Sequence, residues 1–144
     1  LAELRRLAAG ARHVVSVCTG SLLLASAGLL RGRRAACHWA WRDLLASFDG
    51  VTPDEGRIVR DGNVHTGGGV TAGIDVALAV MAEVAGVPYA QAVQLGIEYA
   101  PEPPFDCGRP ERADADVLAR VRQRLESMGG ERRTAVQRAA AALA

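Results

Sequence analysis

Cys18, Thr19 and Gly20 are the residues whose types and spacing are best suited to chemistry. They follow the β-branched run Val14–Val17 and precede an apolar run from Ser21, an order that predicts a strand, a tight turn and a helix. A nucleophile elbow has this order and lifts one side chain above the edge of a sheet. The positive end of the helix favours the thiolate, the reactive form of cysteine. A small cysteine buried at a strand end is the competing interpretation.

Each residue of this turn has a predicted role. Cys18 would be the nucleophile, and the N–H of Thr19 would be an oxyanion donor. The Thr19 hydroxyl would bind substrate or relay a proton, or would merely cap the helix that follows. Gly20 would let the backbone turn tightly and leave room for a substrate. A tyrosine-phosphatase loop is excluded, because it needs an arginine six positions after the cysteine and Leu24 stands there.

His38 and Gly68 are the other candidate binding residues. His38 ends a second predicted strand, so it would approach Cys18 as a base or an orienting group if the two strands are neighbours. Taken alone, a half-buried histidine bonded to a backbone carbonyl is the simpler interpretation. Gly68 lies in a run of three glycines before a helix, which favours a turn that brings backbone close to the cysteine, or else a cradle for an anion. The run lacks the pattern of a phosphate loop, which argues against a nucleotide.

The potential metal ligands do not predict a metal site. The potential ligands are Cys18, Cys37, His38, His65 and Cys107. No two of these residues have the spacing of a zinc-finger ligand pair. The three cysteines contain no CxxC and cannot all pair, which favours a reducing cytoplasm over a disulfide scaffold.

Alternating strands and helices must position these residues, which predicts an α/β fold around a mostly parallel sheet. Sites in such sheets lie beyond the carboxyl ends of the strands. The apolar run Val14–Val17 predicts a strand buried on both faces, and residues 1–11 predict a surface helix that covers the sheet. Asp61-Gly62 predicts the turn of a hairpin within residues 54–66. Further helices are predicted at 21–30, 39–48, 71–85, 89–99 and 117–128.

We predict one domain over residues 1–128, followed by an Ala- and Arg-rich tail over 129–144 that is helical at best. Hydrophobic residues make up 49% of the chain and the net charge is +1, with both signs mixed. This balance argues against a nucleic-acid partner and a membrane-binding face. The most apolar run, residues 70–82, contains Asp75 and is too short to span a bilayer. No signal peptide is visible, so we predict a cytoplasmic protein.

Four segments together resemble the DJ-1/PfpI family, whose domain is similar to class I glutamine amidotransferases. They are the elbow at 17–20, the Ala-Ala-Cys-His-Trp segment at 35–39, the glycine-rich segment at 67–75, and the Tyr-Ala-Pro-Glu-Pro-Pro-Phe-Asp segment at 99–106. The last two are similar to the isonitrile hydratase branch in particular. The resemblance covers about residues 12–111. It implies a flavodoxin-like three-layer α/β/α sandwich and a homodimer.

The same resemblance implies a reaction, the addition of water to an isonitrile to give an N-substituted formamide. Cys18 would attack the terminal carbon with help from Thr19, water would hydrolyse the thioimidate, and His38 would lie close to the cysteine. No metal or organic cofactor is implied. The family also uses an upstream aspartate. Nothing before Cys18 fits that role, since Glu3 lies on the predicted surface helix, and we interpret the chain as lacking the N-terminal part of the domain.

Two other functions compete with a hydratase. One is the sensor domain of an AraC-type transcription regulator, although the tail after Met128 is too short for a helix-turn-helix pair. The other is a cysteine-dependent stress protein that detoxifies aldehydes or senses oxidation. Protease and glyoxalase-like branches of the family often have histidine directly after the cysteine, and Thr19 stands there instead.

Overall fold

A computed structural model of the chain describes residues 1–143. Its strands are β1 (Val14–Val17), β2 (Arg34–Ala36), β3 (Thr52–Asp54), β4 (Ile58–Asp61) and β5 (Val64–Gly67). Its α-helices are α1 (Ala2–Ala9), α2 (Gly20–Ser26), α3 (Ala72–Ala85), α4 (Val87–Gly96), α5 (Ala115–Ser127) and α6 (Gly130–Ala141). Short 3₁₀ helices lie at Arg42–Ser47 and Pro110–Arg112. No helix within residues 1–143 combines the length and the apolar character needed to cross a bilayer.

The strands form two small sheets in which parallel pairing predominates, as predicted. One sheet has the order β1-β5-β4, with β1 parallel to β5 and with β4 and β5 as an antiparallel hairpin. The hairpin turns at Gly62 and Asn63, one residue later than predicted, because Asp61 still pairs with Val64. Gly62 has a φ of 60°, a left-handed value that favours glycine. The other sheet pairs β2 with β3 in parallel, and β3 was not predicted as a separate strand.

Helices cover both faces of the larger sheet. Helix α3 packs against β1, β4 and β5 on one face and carries α4 on its outer side. On the opposite face, α2 packs against β1, the first 3₁₀ helix and α6. Val136 of α6 is buried in the main core with Leu24, Trp41 and Leu45, so residues after 129 pack against the rest of the chain.

Two burial predictions were wrong. Strand β1 has the predicted bounds, but none of its residues is fully buried and Val15 is 47% exposed. Within residues 1–143 it pairs with β5 alone, so its other edge has no neighbouring strand. Helix α1 forms where predicted and buries none of its residues, so it does not cover the sheet.

Candidate active site

Cys18 lies in a strained turn directly after β1. Its φ is 57°, a left-handed value that is unusual for a residue other than glycine. Such a conformation costs on the order of 1–3 kcal/mol and persists only where surrounding contacts fix it. The turn therefore has the backbone geometry of a nucleophile elbow, in which a strained strand-to-helix turn presents the nucleophile.

Hydrogen bonds from three directions fix this turn. The Cys18 N–H donates to the carbonyl of Gly67 at the end of β5, at 3.1 Å. The Cys18 carbonyl accepts from the N–H of His38 and from the hydroxyl of Ser21, each at 3.3 Å. Both backbone polar groups of Cys18 are thus paired, which holds the residue in its strained conformation.

The residues after Cys18 leave backbone donors available. Within residues 1–143, the N–H groups of Thr19 and Gly20 donate to no backbone oxygen. Thr19 is the N-cap of α2, but its side chain makes no capping hydrogen bond, so its hydroxyl does not serve as a cap. A Cβ on Gly20 would lie 3.2 Å from Cβ of Ser16, so glycine permits the close approach of the helix to β1.

His38 approaches Cys18 through its backbone. The prediction of this approach requires neighbouring strands, but β1 and β2 belong to different sheets, and the loop after β2 provides the contact instead. The imidazole Nδ1 accepts a hydrogen bond from the N–H of Ala40 at 3.3 Å. Burial, with a smaller effect from the positive charge of Arg132, lowers the pKa of His38. A neutral ring that accepts at Nδ1 carries its proton on Nε2.

A cavity of about 320 Å³ lies beside the elbow. His38 and Gly68 line it, together with the side chains of Arg42 and Arg57, whereas Cys18 and Thr19 are not among its lining residues. Thr19 instead borders a separate cavity of about 370 Å³ between α2 and α6. The structure thus brings His38 and Gly68 to one cavity and places Thr19 on another. The Cys18 turn is hydrogen-bonded to His38 and to Gly67, the residue before Gly68.

The glycine run next to this cavity approaches the cysteine, as one of the two sequence interpretations proposed. Gly67, which the sequence analysis did not single out, makes the contact through its carbonyl. The N–H of Gly68 donates to the carbonyl of Arg57 at 3.0 Å, so it is not free to cradle an anion.

An ion pair near the cavity was also missed. Arg57 Nε donates to Asp75 Oδ2 at 2.6 Å, and the hydroxyl of Tyr99 donates to Asp75 Oδ1 at 2.9 Å. Partial burial is the largest single influence and lowers the pKa of Arg57, but the hydrogen bonds and charges of Asp75 and Tyr99 together outweigh it, so the pKa is raised. These residues are 42 positions apart at most along the chain, and no local pattern joins them.

The three cysteines differ in their surroundings. Cys18 is partly exposed, Cys37 is buried, and Cys107 lies in an exposed loop. Burial raises the pKa of Cys37 to about 11, which keeps it a thiol at neutral pH. Within residues 1–143, the one cluster of three potential metal ligands is not at this turn but at the opposite end of β1, where His13, His65 and Glu83 meet.

Comparison with known proteins gives consistent results. The family model described as "DJ-1/PfpI family" matches residues 1–83. The isonitrile hydratase of Pseudomonas putida is 53% identical over 140 residues, which are 97% of this chain and 61% of that protein. An HTH-type transcriptional regulator, GlxA of Rhizobium meliloti, is 35% identical over 91 residues, covering 62% of this chain and 28% of the regulator.

A solved structure supports the same relationship. A THiJ/PfpI family protein from Pseudomonas syringae superposes with a TM-score of 0.81 at 43% identity, covering 92% of this chain and 52% of that one. The predicted α/β fold of the flavodoxin-like type is confirmed by this similarity. The chain spans between half and two thirds of the length of these two relatives.

Proposed function

The chain belongs to the DJ-1/PfpI family, and on that premise we propose that it acts in an isonitrile hydratase, adding water to a small isonitrile to give an N-substituted formamide. The similarity to the Pseudomonas putida enzyme supports this reaction over others in the family. We propose Cys18 and Thr19 as the catalytic residues and Gly20, His38 and Gly68 as residues that shape the site. In this proposal the protein is a cytoplasmic homodimer, and the reaction uses no cofactor.

The first step is addition of the thiol to the isonitrile. The sulfur of Cys18 bonds to the terminal carbon while the proton of the thiol passes to that carbon, giving a thioimidate, Cys–S–CH=N–R. As the sulfur adds, the carbon–nitrogen triple bond becomes a C=N double bond, and the electron pair left on the terminal carbon takes up the proton. The nitrogen gains a lone pair, and the unpaired N–H of Thr19 is a donor that can hydrogen-bond to it. The Thr19 hydroxyl, free of a capping role, relays the proton.

The second step is hydrolysis of the thioimidate. Water adds to the carbon of the C=N bond and gives one proton to the nitrogen. The C–S bond then breaks, and the sulfur leaves with the second proton as the thiol of Cys18. The products are R–NH–CHO and the free enzyme, so the whole reaction consumes one isonitrile and one water.

The observation that carries this proposal is the left-handed φ of 57° at Cys18, next to two backbone N–H groups without backbone partners. A cysteine that only fills space at a strand end gains nothing from this strain. A nucleophile does gain, because the turn separates its side chain from the sheet and places it at helix amides.

The test incubates the protein with a simple alkyl isonitrile and follows the formyl proton of the formamide by NMR. We expect turnover by the wild type, none by Cys18→Ala, and about tenfold less by Thr19→Val than by Thr19→Ser, which keeps the hydroxyl. Formamide production by Cys18→Ala would contradict the nucleophile. Equal rates for the two Thr19 variants would leave only its backbone amide in the mechanism.

A second candidate is a sensor domain that binds a small molecule without turnover. The similarity to the HTH-type regulator GlxA favours it, over a shorter part of the chain and at lower identity than the hydratase. Saturable binding of an isonitrile to the wild type with no formamide formed would favour the sensor over the enzyme.

A further inference from the structure

His13, His65 and Glu83 come together at the amino end of β1, away from the Cys18 turn. His13 directly precedes β1, His65 lies in β5, and Glu83 lies in the last turn of α3. In the register of the sheet, His65 is opposite Val15. Because side chains alternate along a strand, His65 points to the α3 side of the sheet while Thr66 points to the other side, where its hydroxyl accepts from the N–H of Ala36.

Three atoms of this cluster form a compact triangle. His13 Nδ1 is 3.2 Å from His65 Nε2, and Glu83 Oε2 is 3.9 Å from the first nitrogen and 3.7 Å from the second. A point equidistant from three atoms at these separations lies about 2.1 Å from each, which is the usual zinc–nitrogen and zinc–oxygen distance. The three atoms therefore surround a space that fits one ion without movement of the backbone.

From this geometry we propose that His13, His65 and Glu83 bind one divalent transition-metal ion of the zinc class. Two imidazole nitrogens and one carboxylate oxygen are a ligand set that zinc accepts with a water in the fourth position. Calcium and magnesium prefer oxygen ligands throughout, so the two histidines disfavour them. The proposal does not depend on the proposed hydratase activity, because none of the three residues lies at the elbow.

The surroundings of the cluster suit a bound cation. His65 is 1% exposed, whereas the side chains of His13 and Glu83 are each 25% exposed, so an ion can enter from solvent and still be held by a buried ligand. Arg60 Nη1 lies 3.0 Å from Glu83 Oε1, which orients the carboxylate and leaves Oε2 for the ion. The Arg60 side chain is 61% exposed, so solvent screens its repulsion of the ion.

The role expected of this ion is structural. It would join the start of β1 to the middle of β5 and the end of α3, which lie about 50 to 70 positions further along the chain. An ion that binds the folded chain and not the unfolded one raises the free energy of unfolding by mass action, so the melting temperature should rise with its concentration.

The test measures binding of zinc chloride by calorimetry and of cobalt chloride by visible absorption, with the wild type, Glu83→Gln, His13→Gln and, as a matched control on the exposed face of α6, Glu131→Gln. We expect one zinc per wild-type chain, a higher melting temperature in zinc, and a cobalt d–d band without a thiolate charge-transfer band. Glu83→Gln and His13→Gln should each weaken zinc binding at least about tenfold, and Glu131→Gln should not.

Three outcomes would overturn the site. They are no saturable zinc binding by the wild type, equal binding by Glu83→Gln and the wild type, or a thiolate-to-cobalt band, which would place the ion on the cysteines. Circular dichroism of each variant without metal separates loss of a ligand from loss of folding. Glu83→Gln keeps the size of a partly exposed side chain, so it is the variant expected to fold normally.

Discussion

The two ends of β1 are built in opposite ways. At its carboxyl end, Cys18 is fixed through its backbone, with a strained φ, a hydrogen bond donated to Gly67, and hydrogen bonds accepted from Ser21 and His38. At its amino end, His13 meets His65 and Glu83 through side chains alone. The first end stores conformational strain to present one reactive atom, whereas the second brings three side-chain atoms together with no unusual backbone angle among them. The four residues of β1 thus separate the Cys18 turn, which local backbone geometry forms, from the His13, His65 and Glu83 cluster, which packing between distant segments forms.

The largest effect, complete loss of formamide production, is expected from Cys18→Gly. This variant also separates the backbone strain of the elbow from its chemistry. Glycine adopts φ of 57° without the penalty paid by cysteine, so the free energy of unfolding should rise by about 1 kcal/mol while formamide production is lost. Cys18→Ala should lose the activity without this gain, because alanine keeps a Cβ. Urea unfolding of both variants measures the difference. If glycine and alanine have the same stability, the turn is not strained and the comparison with the other end fails.

The next effect concerns Gly67, which links the two ends because it bonds to Cys18 and lies two residues after His65 in β5. A Cβ there would lie 2.9 Å from Val76 and 3.1 Å from Val17, so Gly67→Ala should lower the free energy of unfolding by about 1–3 kcal/mol. The neighbouring Gly68→Ala is the matched control.

A Cβ on Gly68 would meet nothing closer than 3.8 Å, and its substitution should change stability by less than about 0.5 kcal/mol. Urea midpoints of the two variants give the comparison. Equal urea midpoints would mean that β5 can move away from β1 and α3 to make room for the added methyl group. The β1–β5 pair would then not be rigid enough to link the two ends of β1.

The elbow could be predicted from the sequence because its determinants are contiguous. A β-branched run, one cysteine and one glycine before an apolar helix specify the turn within eight residues, and β1 has the predicted bounds. The same local pattern gave the wrong burial for β1. Apolar residues indicate a strand, but exposure depends on which strands lie beside it, and β1 is an edge strand within residues 1–143.

The cluster at the other end could not be predicted in this way. His13, His65 and Glu83 are separated by 52 and 18 positions, and no spacing rule for metal ligands joins them. The sequence predicts no metal site for His65, because no zinc-finger spacing joins it to His38 or to the three cysteines. A signal existed in principle: His65 is polar within a strand, where its neighbours Val64 and Thr66 face the core, so its side chain needs polar partners on the α3 side.

The smallest effect is a pH dependence of stability that distinguishes the two ends. Burial lowers the pKa of His65 below 6.5, and among the charged groups that face it Glu83 opposes this while His13 and Arg60 add to it. As the pH falls, the unfolded chain therefore takes up a proton at His65 at a higher pH than the folded chain does. The contribution of His65 to stability is complete above pH 6.5 and is lost as the pH falls from there through the folded pKa, with a slope of less than about one proton.

The pKa of His38 is lowered as well, so thermal melts of the wild type and of His38→Gln across this pH range show which histidine causes the effect. A His38→Gln variant that keeps most of the acid sensitivity places it at the amino end of β1, and saturating zinc should then steepen it, because protons and metal compete for the same nitrogens. Complete loss of the sensitivity in His38→Gln would instead place it at the elbow.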